Sequence, residues 1–150
     1  MLTVARADPR APGPRALLEA SHALMRAAFP PEDNYFLDID ALCGPDIRFF
    51  AAREGRTVLG TGALALRDGY GEIKSMFTAE TARGRGVGAA ILRALEDEAR
   101  ALGLPWLRLE TAEALAAAVR LYERAGFVRR GIFGDYRPNS TSLYMEKPLA

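Results

Sequence analysis

Apolar and polar residues alternate through Leu2–Ala7, the two-residue period of a strand that buries one face, and Ile47–Arg53, Thr57–Arg67 and Gly71–Phe77 also read as strands. After the first of these, Leu17, Leu18, Leu24, Met25, Ala28 and Phe29 recur at helical spacing. They predict a helix over Pro14–Phe29, set apart by Pro9, Pro12 and Pro14 and stopped by Pro30-Pro31. His22 lies in this helix and, with no second histidine in the chain, is expected at the surface or facing a partner. The polar stretch Glu32–Phe36, with its two aromatics, leads into a short helix near Leu37–Leu42 and is expected to form a lid or substrate wall. Glu54-Gly55-Arg56 reads as a hairpin turn, and Asp68-Gly69 turns the chain into the next strand.

In the second half Val87, Ile91, Ala94, Leu95, Ala99 and Leu102 share one helical face, while Arg93, Glu96, Asp97 and Arg100 take the other. Gly103 closes this helix and Pro105 prevents its continuation. Trp106–Glu110 reads as a strand, and strand–helix–strand at this length implies a right-handed crossover between parallel neighbours. A helix over Ala114–Ala125, stopped by Gly126, precedes strands at Phe127–Arg130 and Leu143–Lys147, with the loop Gly131–Thr141 between them. The expected fold is one domain over residues 1–150, mixed α/β, with a mainly antiparallel central sheet and one parallel βαβ crossover.

Composition narrows the possibilities. A chain of 150 residues can bury roughly two thirds of its unfolded surface without disulfides or metals. Net charge is +1, and the 20 basic residues, all arginine except Lys74 and Lys147, are spread along the chain with no basic stripe. Nucleic acid is therefore not an expected partner. No apolar run approaches the ~20 residues that span a bilayer, and Met1–Arg10 lacks the layout of an export signal, so the expectation is a cytoplasmic protein without a membrane partner. Cys43 is alone and has no neighbouring His or Cys; a small, half-buried side chain and no metal site are expected.

Chemistry concentrates at Arg83-Gly84-Arg85-Gly86-Val87-Gly88, which runs straight into the strongly patterned helix. Its glycines let backbone N–H groups point inward, the helix start adds unpaired N–H groups and the positive end of its dipole, and two arginines add charge. The loop thus reads as a receptor for a phosphate-bearing ligand. A Walker loop would need Gly-Lys followed by Ser or Thr, whereas Gly88 is followed by Ala89. Gly84, Gly86 and Ala89 do fit the dinucleotide pattern, with Glu110 as a ribose-binding acid. However, Thr78–Arg83 separates the strand from the first glycine, and too little chain follows for a second nucleotide-binding half. The same offset opposes a methyltransferase glycine loop.

At Arg83, Gly86 and Gly88 the chain resembles the GNAT superfamily of acetyl-CoA-dependent N-acetyltransferases, whose signature is Arg or Gln, two residues, Gly, one residue, then Gly or Ala. The resemblance extends through Glu72–Phe77 and through Leu121-Tyr122-Glu123-Arg124-Ala125-Gly126-Phe127. The ending Phe133–Tyr136 and Ser142–Lys147 is similar to a bacterial subgroup of small members. It implies an acyl-CoA N-acyltransferase fold, acetyl-CoA as co-substrate, no metal and a small-molecule amine acceptor. Homodimers are common in the family. By the same resemblance Arg83, Gly84, Arg85, Gly86, Val87, Gly88 and Ala89 hold the pyrophosphate, and a bulge near Met76-Phe77-Thr78 offers amides to the pantetheine and thioester. Tyr122 matches the general-acid tyrosine that protonates the departing thiolate.

An amine with a pKa of about 10.4 is only about one part in a thousand neutral near pH 7, so a carboxylate base is expected. Glu72 is the first candidate and Glu110 the second. Asn34, Tyr35, Asp38, Asp135 and Tyr136 lie in the two loops that border the acceptor pocket in this family. Leu115 stands where many members place an Asn or Gln that contacts the cofactor, and Ala112 where the subgroup often has Gly. A silent acyl-CoA-binding module is the alternative to an enzyme.

Overall fold

The computed structural model describes residues 1–149. Strands β1 (Leu2–Arg6), β2 (Ile47–Glu54), β3 (Thr57–Arg67) and β4 (Tyr70–Thr78) form an antiparallel run. The chain then crosses over through a helix, and β5 (Trp106–Ala112) pairs with β4 in parallel. β7 (Ser142–Pro148) lies antiparallel between β5 and the short edge strand β6 (Val128–Arg130), completing the order β1-β2-β3-β4-β5-β7-β6. The fold is therefore mixed α/β, and its mostly antiparallel sheet has one parallel pair.

Helices α1 (Pro12–Ala28) and α2 (Ile39–Leu42) cover one face of the sheet; α3 (Val87–Ala101) and α4 (Ala116–Arg124) cover the other. The alternation in β3 decides this. Ala63 and Ala65 pack with Leu18 and Leu42 on the first face, while Leu64 joins Ile91, Leu95 and Leu107 in the larger core on the second. Bare glycines let α3 sit close: a Cβ on Gly62 would lie 2.4 Å from Ile91 Cγ2, and one on Gly60 would lie 2.8 Å from Val87 Cγ1. This contact sets α3 above the sheet, with its N-terminus beside the end of β4.

The first helix departs from the periodicity reading. Its buried face is Pro14, Leu18, Ser21 and His22, whereas Leu24 is half exposed. His22 is buried, not at the surface: its ring stacks on Phe36 with centroids 4.2 Å apart. Burial, reinforced by nearby Arg26, holds its pKa below the ordinary histidine value. Hydrophobicity along one helix could not find this face, because Phe36, which covers the imidazole, arrives from outside it. No helix among the described residues is long and apolar enough to cross a membrane.

Two irregularities in β4 open the sheet. Thr61 pairs with Phe77 but Ala63 pairs with Lys74, so Gly62 alone opposes Ser75 and Met76. This is a bulge, and Ser75 adopts a left-handed φ of 56°, which costs a non-glycine residue free energy. Thr61 Oγ1 holds the distortion by donating to the Ser75 carbonyl at 2.9 Å. On the other side, the parallel register with β5 covers only Gly71–Leu107 and Glu72–Arg108. From Ile73 onward the β5-facing edge of β4 has no strand partner among the described residues, and the two strands splay apart.

Candidate active site

The splay holds a cleft of about 140 Å³ that passes from one face of the sheet to the other. Ser21, Met25 and Phe29 of α1 line one end, and Leu115, Ala118 and Tyr122 of the α4 segment line the other. Between them lie Ile73–Met76 of β4 and Glu110–Ala112 of β5. Unpaired backbone amides and carbonyls along the freed edge of β4 therefore face a space of ligand size, where buried polar groups need partners. Ser75 Oγ, also on this wall, is buried without a hydrogen-bond partner among the described residues.

The glycine loop sits at the same end of β4 as Tyr122. Gly84 and Gly86 take φ values of 78° and 77°, and Gly86 caps α3 without a side-chain hydrogen bond, leaving first-turn N–H groups unspent. No heavy atom would touch a Cβ at either glycine, so the cradle opens outward. Gly88 closes the connection: its Cβ position is 3.1 Å from Leu121 Cδ2 and 3.8 Å from Thr78 Oγ1. The loop arginines differ. Arg85 is tied to Glu54 at 2.8 Å, while Arg83 is exposed and has no ion-pair partner among the described residues. Val87 is a core residue; Met76 lines the cleft, and Phe77 pairs with Thr61 in the ladder.

The structure separates the two carboxylate candidates. Glu110 lines the cleft with Tyr122, is half-buried, and accepts from Ser142 Oγ at 2.7 Å. Burial raises its pKa above the ordinary carboxylate range, against the opposing pull of that hydrogen bond and Lys74. Tyr122 is buried, and its own pKa is raised by burial and then by the negative charge of Glu110. It therefore keeps its proton at neutral pH.

Glu72 lies in a neighbouring cavity of about 290 Å³, with both carboxylate oxygens engaged. Arg67 Nε donates to Oε1 at 3.1 Å, Tyr136 Oη donates to Oε2, and Lys74 Nζ stands 3.7 Å away. Lys74 also donates to the Tyr35 carbonyl at 2.9 Å and to Tyr136 Oη at 3.0 Å. Its pKa is lowered, chiefly by burial. One ammonium thus pins both predicted acceptor loops to β4. Lys74 carried no sequence signal beyond its place two residues after Glu72, since its partners are 39 and 62 residues away. Asn34 and Tyr35 line the cleft with Asp33 and Phe36, which makes the segment after α1 a cleft wall. Asp38 caps α2 by accepting from the Ala41 amide, and Asp135 is exposed at the mouth of the second cavity.

A splayed β4–β5 pair beside a glycine cradle, with a helical tyrosine at the junction, defines an acyl-CoA N-acyltransferase fold. The chain belongs to the acetyltransferase (GNAT) family, whose profile matches residues 15–127, and it is an enzyme of that family. It is 45% identical over 150 residues to an IAA acetyltransferase of Azospirillum brasilense, covering 99% of this chain and 98% of that protein. A crystal structure from Klebsiella pneumoniae, provisionally assigned as an acyl-CoA N-acyltransferase, superposes with a TM-score of 0.83 at 32% identity. That match covers 100% of this chain and 99% of the other. The same fold appears in yncA of Salmonella typhimurium, solved with its cofactor acetyl-CoA, at a TM-score of 0.75 and 20% identity, over 99% and 94% of the two chains.

Proposed function

We propose that the chain moves the acetyl group of acetyl-CoA to an amine of a small molecule by direct attack within a ternary complex. The cradle Arg83–Ala89 would hold the pyrophosphate, with Arg83 as the free cation, and the β4 edge at Met76–Thr78 would hold the pantetheine. Acetyl-CoA supplies the activated acyl group. The acceptor would enter from the α1 face, where Asp33 and Glu110 give the cleft an acidic character suited to a protonated amine. Glu110, with its raised pKa, is the proposed base that takes the amine's proton, and Tyr122 is the proposed acid that returns one to the leaving sulfur. The Azospirillum relative carries the name IAA acetyltransferase; for this chain the proposed acceptor is a small-molecule amine.

The observation that carries this reading is that Glu110 and Tyr122, from opposite sides of the sheet, line the same cleft beside the edge of β4 that β5 leaves. Release of free thiol from acetyl-CoA, measured against a panel of amines, tests it. Amine-stimulated release is expected, and Tyr122→Phe should lower turnover roughly a hundredfold while acetyl-CoA still binds. Unchanged turnover would remove Tyr122 from the chemistry. Acetyl-CoA binding without any amine-stimulated release would instead favour a silent acyl-CoA-binding module.

A further inference from the structure

We propose that the second cavity is a carboxylate subsite for the acceptor, so that the preferred substrates carry an amine and a carboxylate, as amino acids do. This rests on the acetyltransferase reading above and adds the acceptor's chemical class to it. The cavity adjoins the catalytic cleft, and Tyr35 and Lys74 line both. Within it Arg67 and Lys74, two cations, surround a single buried carboxylate, Glu72. The side chains of Lys74 and Glu72 are 9% and 4% exposed, so this cluster is screened from water far more than a surface ion pair.

Hydrogen bonding within the cluster leaves a specific remainder. Both oxygens of Glu72 are taken, and the ammonium of Lys74 is spent on Tyr35, Tyr136 and Glu72. Among the described residues Arg67 donates only through Nε, which leaves its two terminal nitrogens without a hydrogen bond to the protein, and Arg67 lines the cavity. A guanidinium held from behind by a carboxylate, with its outer N–H groups free, is a receptor for a second carboxylate. Tyr35, Tyr70 and Tyr136 supply aromatic walls for the carbon skeleton. Asp135 also lines this cavity, but it is exposed at the mouth, where water screens its charge.

The polarity of the two cavities agrees with that direction. On the cleft side the charged side chains besides Lys74 are Asp33 and Glu110, both acidic; on the far side are Arg67, whose terminal nitrogens are unspent, Glu72, already taken up by Arg67 and Tyr136, and Asp135 at the exposed mouth. An acceptor spanning the two would place its ammonium towards Glu110 and its carboxylate towards Arg67.

Matched acceptors test the proposal: an aromatic amino acid, its carboxamide, and the amine left by its decarboxylation. Binding is measured by calorimetry on the protein saturated with coenzyme A, and turnover by thiol release. The acid should bind roughly tenfold tighter than the amide or the amine, the usual worth of a hydrogen-bonded charge pair. Arg67→Gln should collapse that preference to about twofold, and Arg67→Lys should restore part of it; circular dichroism checks that each variant is folded. Equal binding of acid and amide by the unmodified protein, or a preference that survives Arg67→Gln, would overturn the subsite even if thiol is released. An acid preference without thiol release would uphold the subsite and overturn the proposed catalysis.

Discussion

The two halves of the site are built in opposite ways. The half proposed for the cofactor is one stretch, Met76 to Ala89, whose shape follows largely from local rules: left-handed glycines, an uncapped helix start and tight packing of α3 on Gly60 and Gly62. The acceptor half is assembled from α1, the segment after it, β4, β5 and the loop before β7, and is held by bonds such as Lys74 to Tyr35 and Tyr136. A contiguous half can be read from spacing and tolerates a shared cofactor chemistry. A composite half can change its selectivity by altering one distant residue.

Substitutions can break that contrast, and the largest effect is expected at the junction. Glu110→Gln should lower kcat roughly a hundredfold and remove the acid limb of the pH–rate profile. A base works when ionised, and burial raises the pKa of Glu110, so activity should hold above that raised value and fall as pH drops through it. A preserved limb in the variant would return the role to Glu72. Tyr136→Phe strips a donor from a buried carboxylate and should cost about 1–3 kcal/mol of stability. It should also raise KM for the acceptor with little change for acetyl-CoA; equal changes in both would show that the halves are not separable.

Gly86→Ala sharpens the comparison from the other side. Forcing a side chain into the left-handed region costs about 1–2 kcal/mol, so acetyl-CoA affinity should fall about tenfold with acceptor KM unchanged. An unaltered affinity in calorimetry would show that the loop does not need this turn. The smallest effects separate the arginines: Arg83→Gln should weaken acetyl-CoA binding several-fold, and Arg85→Gln by less than about twofold, because Arg85 is already paired with Glu54. The reverse order would make Arg85 the phosphate contact.

Much of the fold is legible in the chain itself. Thr57–Arg67 and Ile47 onward are strands, as their composition and the Glu54-Gly55-Arg56 joint predict, and Val87–Ala101 is the helix that its apolar face demands. Element ends moved modestly. α1 starts at Pro12 and α4 only at Ala116, while Phe127 leaves the strand register to enter the core. His22 was misplaced because the cover on its ring comes from Phe36, and periodicity weighs a helix without its neighbours. The carboxylates show the same limit. Glu72 and Glu110 look alike in the chain, each on a strand beside a plausible partner. Only the cross-strand geometry gives one to Arg67, Lys74 and Tyr136, and leaves the other in the cleft with Tyr122.

Local pattern was enough for the sheet, the crossover and the glycine turn before α3, since backbone preference, two- and 3.6-residue periods and glycine conformation act over a few neighbouring residues. The opening between β4 and β5, the burial that raises the pKa of Glu110, and the ammonium that joins two distant loops came from packing alone. Those features depend on which surfaces meet and what water they exclude, and desolvation is a property of an assembled neighbourhood that no single stretch of chain contains.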